Sequence, residues 1–185
     1  MAAPIYNYAF RGVARRLPSI PSVPYMAHIL KLRGTAALSD ARLARLLDDC
    51  RRSVAKLRDL RATQYFFVEC AAEPDAAELG RLCALLNAQP AGAVDGTVLL
   101  VTPRLGTISP WSSKATDIAR NCGLASVVRI ERGLLYEIGL SRGLLGSGAL
   151  DAAERDALAA KLHDRMTESV LGALHDADAL FSHVP

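Results

Sequence analysis

The residues of this 185-residue chain best equipped for chemistry lie between 104 and 117, in the run RLGTISPWSSKATD. Thr107, Ser109, Ser112 and Ser113 supply hydroxyls, Arg104 and Lys114 supply cations, and Asp117 supplies a carboxylate. Trp111 is the only tryptophan. Pro103 and Pro110 restrict the backbone, while Gly106 allows a dihedral closed to most residues, so the pattern predicts a shaped loop. A short helix is expected over 114–122, starting near Ser112 or Ser113 and ended by Gly123. Free amides at such a start, with hydroxyls, Lys114 and Arg104 nearby, could hold an anion, because unsatisfied N–H groups and the helix dipole both favour negative charge. The simpler alternative is that a serine caps the helix and both cations stay in water. It is not a Walker A loop, since no glycine directly precedes Lys114. Trp111, flanked by Pro110 and Ser112, reads as an interface anchor in preference to a core plug, because indole carries a large apolar area and commonly anchors contacts.

A second group lies on the strand expected over 126–139 (SVVRIERGLLYEIG). Period-two alternation puts Val128, Ile130, Leu134, Tyr136 and Ile138 on one face and places Arg132 among them. Arg129 and Glu131 share the opposite face, either as an exposed ion pair of little worth or, with Arg132, as a charged seam against another domain. Gly133 is expected to mark a bulge and a bend. Elsewhere the chemistry thins out. His28, His163, His175 and His183 are scattered, and Cys50, Cys70, Cys83 and Cys122 stand singly without a CxxC pair. The cysteines are expected to be reduced, buried, cytosolic thiols. No Ser-His-Asp, Cys-His or metal-ligand spacing is present, so no self-contained active site is expected.

The elements that must position these residues follow from periodicity. Residues 27–33 (AHILKLR) alternate as a strand that Gly34 should end, and Leu43, Leu46, Leu47, Cys50 and Val54 recur at helical spacing behind Ser39 and Asp40. Residues 64–71 (QYFFVECA) read as a strand covered on both faces. Asp75 with Glu78 starts a second helix, and Thr97 to Thr102 is a short central strand before Pro103. Past a glycine-rich turn (Gly143, Gly146, Gly148), Asp151 and Glu154 repeat the cap, and Leu158, Leu162, Met166, Val170, Leu174 and Phe181 predict one long helix or two nearly continuous ones. The order β-α-β-α-β-α-β-α predicts a two-layer α/β sandwich, with a mixed sheet, helices on one face and a long C-terminal helical segment.

Composition narrows the function classes. The chain is 51% hydrophobic with a formal net charge of +3, and its charges of both signs are interspersed, which argues against a nucleic-acid partner. No apolar run is long enough to span a bilayer. Residues 1–25 contain Arg11, Arg15 and Arg16, no acid, and prolines at 4, 18, 21 and 24. That is acid-poor in the manner of a transit peptide, but the expectation is a disordered extension with the domain opening near Met26.

The run TPRLGTISPWSSKATDIARNCGL closely resembles a signature near the N-terminus of the large single-chain phosphoribosylformylglycinamidine synthases, departing from it at Leu105, where proline is familiar. RIERG at 129–133, LHDRMTESV at 162–170 and LRGTAALS at 32–39 extend the resemblance over about 27–183. The resemblance implies an α/β domain over 26–145 similar to a fused pair of the small non-catalytic synthase subunit, followed by a helical segment over 146–185 that leads to a linker. It implies as partners the ATP- and magnesium-dependent synthetase and the glutaminase of the same cytoplasmic chain, with no membrane or nucleic acid involved. No cofactor is expected on this portion, and its isolated form is expected to be inactive. Carried over by position, Arg104, Thr107, Ser109, Trp111, Ser112, Ser113, Lys114 and Asp117 would form a docking surface that helps keep ammonia out of water. The alternative is a free-standing regulatory module that binds a phosphorylated small molecule at residues 112–114.

Overall fold

The computed structural model describes residues 28–141 and 148–182. The expected extension over 1–25, most of the glycine-rich turn and His183 lie outside them. Strand β1 (His28–Ala36) leads through a short connection into helix α1 (Asp40–Ser53), with Ser39 at the N-cap, Asp40 in the first turn, and Arg51 and Arg52 in the last, each sign matching the dipole. Strand β2 (Leu57–Cys70) then runs back. Helix α2 (Ala76–Leu86) begins at Asp75, whose carboxylate accepts from the Glu78 N–H at 2.7 Å, and ends at Asn87 in the left-handed conformation. A two-residue strand β3 (Gln89–Pro90) and a loop lead to β4 (Thr97–Pro103), α3 (Pro110–Asn121) and β5 (Val127–Leu140). Helix α4 (Ala152–Leu162) carries a complete capping box made by Asp151 and Glu154, and strand β6 (Glu168–Leu171) and a 3-10 helix (Leu174–Phe181) complete the fold.

These elements make the expected two-layer α/β sandwich, but the sheet is antiparallel at every pairing, not mixed. Alternating β-α-β order usually implies parallel neighbours. Here β2 is long enough to change that outcome. β1 pairs with β2 from Thr63 to Cys70, and α1 continues past the end of β1 to pack over the earlier part, where Cys50 and Val54 meet Leu57, Leu60 and Ala62. A 14-residue helix covers about 21 Å, roughly the reach of six strand residues, so β2 can return past both elements.

The strand order β3-β1-β2-β5-β4-β6 reads as a palindrome. Helix α3 starts 70 residues after α1 (110 against 40), and β5 starts 70 after β2 (127 against 57), both strands being 14 residues long. Helices α2 and α4 are each 11 residues long. The sandwich is therefore two topologically equivalent halves joined at the β2–β5 pair, and Gln64 and Leu134, which face each other across that pair, mark the local two-fold axis. Two clusters lie on the helix-bearing face. Cys50, Val54, Leu158 and Leu162 bring α1 and α4 onto Leu60, Leu99 and Tyr136, while Leu82 and Ala119 bring α2 and α3 onto Phe66, Val68 and Ile130. On the opposite face, Ala177, Leu180 and Phe181 of the 3-10 helix cover Phe67, Leu100 and Leu135.

Several sequence expectations are corrected. The stretch expected as one long C-terminal helix or two nearly continuous ones divides into α4, an edge strand paired with β4, and the 3-10 helix. The break comes at Asp164, whose carboxylate accepts from the Met166 N–H and whose carbonyl accepts from Thr167 and Glu168, a local turn that competes with helix continuation. Gly133 sits in regular register opposite Tyr65, and the bulge lies instead near Val127, which takes the buried position assigned to Val128. A Cβ at Gly133 would stand 2.7 Å from the Val101 carbonyl oxygen, so close approach explains this glycine. Gly34 lies inside β1 at a register shift and does not end it. Cys50 and Cys70 are buried, and burial pushes both thiols up, whereas Cys83 is half-buried and Cys122 is exposed.

Candidate functional site

The site is built around the start of α3. Ser109, not Ser112 or Ser113, is the N-cap, and its hydroxyl oxygen accepts from the Ser112 N–H at 3.0 Å. Pro110 follows at the first helical position, where its missing N–H costs nothing. The helix thus begins four residues earlier than expected. Its C-terminus is as expected, with Gly123 at φ +77 just after the cap. Ahead of it, Arg104 to Thr107 forms a turn in which the Thr107 N–H and hydroxyl both donate to the Arg104 carbonyl, with Gly106 at φ +77. Leu105 holds the turn position in which proline is favoured, which accounts for the proline familiar in the signature.

Behind the loop lies Glu131, 0% exposed. Its carboxylate accepts from the Ser109 hydroxyl at 2.9 Å, from the Ser109 N–H at 3.3 Å and from the Arg129 guanidinium at 2.6 Å. Arg129 also donates to the Thr107 carbonyl at 2.6 Å and to the Leu180 carbonyl at 3.1 Å, and lies 5.3 Å from the centre of the Phe181 ring. The pair expected as an exposed ion pair or a seam is therefore an internal clamp. It ties the loop to β5 on one side and to the 3-10 helix on the other. It also puts a carboxylate of the chain itself against the start of α3, the place weighed from sequence as a possible anion contact.

In front of the loop a cleft of about 660 Å³ opens on the helix-bearing face at the local two-fold axis. Gln64 and Leu134 lie at that axis, and Val101 and Arg132 lie beside them. One lip is the loop from Arg104 to Trp111 and the other runs from Met166 to Glu168; the Arg104 N–H, donating to the Thr167 carbonyl at 3.0 Å, joins the two. Trp111 is half-buried, its ring stacked on Phe66 at 5.9 Å between centroids, with the Arg132 guanidinium 4.9 Å above it. Trp111 therefore packs on the core and also walls the cleft. Ile108 and Met166, 64% and 77% exposed, stand on opposite lips.

Of the residues singled out from sequence, Arg104, Thr107, Ser109, Trp111 and Arg132 line this cleft. Ser112 is fully buried with its hydroxyl unpartnered, and Ser113, Lys114 and Asp117 are exposed along α3 outside the cleft wall. Gln64, Ile108, Met166 and the clamp role of Glu131 were not anticipated. A serine followed by proline is a signal that could have placed the cap correctly. Among the described residues, no three His, Cys, Asp or Glu side chains gather where a metal ion could be held.

The family model described as formylglycinamide ribonucleotide amidotransferase N-terminal matches residues 63–181, from the middle of β2 to the end of the 3-10 helix. The chain belongs to this family. Apart from Ala37, every residue around the cleft falls within the matched span of this amidotransferase N-terminal domain, as do Arg129 and Glu131. No helix among the described residues is long and apolar enough to cross a membrane.

Proposed function

We propose that this domain is the scaffold and ammonia-coupling portion of phosphoribosylformylglycinamidine synthase, a cytoplasmic ligase of purine biosynthesis. That enzyme makes formylglycinamidine ribonucleotide from formylglycinamide ribonucleotide, ATP and glutamine. The domain contributes no catalytic centre. ATP and magnesium belong to the synthetase region of the parent chain and glutamine to its glutaminase region, and the cleft at the local axis is the surface on which a neighbouring region docks. The observation that carries this reading is the cleft wall itself, a loop held from behind by a buried carboxylate while Ile108, Met166 and Trp111 present apolar area outward. The palindromic sheet supports the relation to a fused pair of small subunits.

In the full-length synthase, Trp111→Ala lowers the glutamine-dependent rate by about tenfold and leaves the ammonia-dependent rate within about twofold, the split expected when transfer between sites fails while chemistry survives. Wild-type values for both rates would refute docking at this cleft. The regulatory-module alternative meets the carboxylate of Glu131 at the start of α3, which disfavours a phosphate there.

A further inference from the structure

The cleft lining carries two arginines, Arg104 and Arg132, against a single acid, Glu168, whose carboxylate accepts from the Asp164 N–H at 2.8 Å, which leaves an excess of one positive charge. Arg132 lies over Trp111, and Arg104 stands at the lip; neither forms an ion pair among the described residues. The remaining residues, 1–27, 142–147 and 183–185, contain no Asp or Glu, so they cannot supply an acidic side chain either. The Trp111 ring already packs on Phe66 and lies against the Arg132 guanidinium, so part of its aromatic area is used within the domain. Available to an occupant is the outer edge of the Arg132 guanidinium, a fork of donors matched to a carboxylate. Around it lie Ile108, Leu134 and Met166, and the exposure of Ile108 and Met166 on opposite lips would persist if a small ligand merely filled the space.

We propose that the occupant is a protein segment bearing a carboxylate beside a bulky apolar side chain, the carboxylate meeting Arg132 and Arg104 and the apolar group lying between Ile108 and Met166. Charge complementarity selects it over residues 1–27 of this chain, which carry Arg11, Arg15 and Arg16 and would repel the same arginines. This rests on the docking reading above and adds the chemistry of the docked segment, which then comes from another region of the parent synthase.

The test uses the full-length synthase with p-benzoylphenylalanine in place of Ile108, irradiated and mapped by mass spectrometry. A crosslink to another region of the same chain is expected, with Asp or Glu in the captured segment. Arg132→Gln reduces its yield by about tenfold, while Arg132→Lys, which keeps the charge but loses the fork, reduces it by about threefold. Arg132→Glu abolishes the crosslink, and replacing the captured acid with arginine in that variant restores it. A crosslink whose yield is indifferent to Arg132→Gln leaves docking intact and overturns the carboxylate proposal. Failure to crosslink to any other region overturns both. Capture of a second copy, or loss of the crosslink on adding inorganic phosphate, overturns the proposal in favour of self-association or a small-anion site.

Discussion

The two halves of the sandwich share a plan and differ where it matters. In the first half β1 reaches α1 through three residues, 37–39; in the second β4 reaches α3 through six, 104–109. The 70-residue offset makes Ala41 equivalent to Trp111, Ala62 to Arg132, Thr63 to Gly133, and the pair Asp59 and Arg61 to Arg129 and Glu131. The last correspondence reverses the charges and changes the setting. Arg61 lies 3.4 Å from Asp59 with both side chains more than half exposed, whereas Arg129 and Glu131 meet at 2.6 Å with 17% and 0% exposure. Two ion pairs at equivalent places thus do different work, because only the second is roofed by the 3-10 helix and an enlarged loop. One half keeps the plain fold, and the other has been modified into a wall for the cleft.

Four substitutions separate the halves by size of effect. Glu131→Ala is expected to cost about 3 kcal/mol in chemical denaturation, since it leaves the Arg129 guanidinium buried without its carboxylate. It should also raise amide exchange in residues 104–109 and in the 3-10 helix together, because Arg129 joins them. A loss below about 0.5 kcal/mol would mean the clamp is decorative. Gly133→Ala should cost about 2 kcal/mol, since the new methyl meets the Val101 carbonyl and not a pliable side-chain tip, while Thr63→Ala at the matching position is expected to stay near 1 kcal/mol or less. Equal costs at the two positions would break the claim that β4 approaches β5 more closely than the fold requires. Arg61→Ala should change stability by no more than about 0.5 kcal/mol, the range for exposed pairs, and a larger loss would erase the contrast with Glu131.

Local signals carried much of this architecture. Asp75 with Glu78, Asp151 with Glu154, and Gly123 announced helix ends through side-chain and backbone chemistry that needs no tertiary context. Arg132 on an apolar face is visible from alternation alone, and it is one of the two arginines that line the cleft. What failed was information held by distant partners. The burial of Glu131 depends on a 3-10 helix some fifty residues later, and the Leu158 to Phe181 spacing satisfied a helix equally well until β4 offered an edge to pair with. The antiparallel sheet was hidden for a related reason. The first half of β2 carries Asp59 and Arg61 on its exposed side, so its full length was not legible as strand, and the length is what lets the chain double back. The capping role of Ser109, as distinct from its place in the loop, is legible only through Pro110, which marks the helix start.

The stacking of Phe66, Trp111 and Arg132 has one practical consequence. Since the chain holds a single indole and that indole forms part of the cleft wall, the intrinsic fluorescence of this domain is in effect the emission of the cleft. A cation resting on the ring perturbs its excited state, so anything that draws the guanidinium aside will register as a change in tryptophan signal, and the molecule reports on its own occupancy without a label.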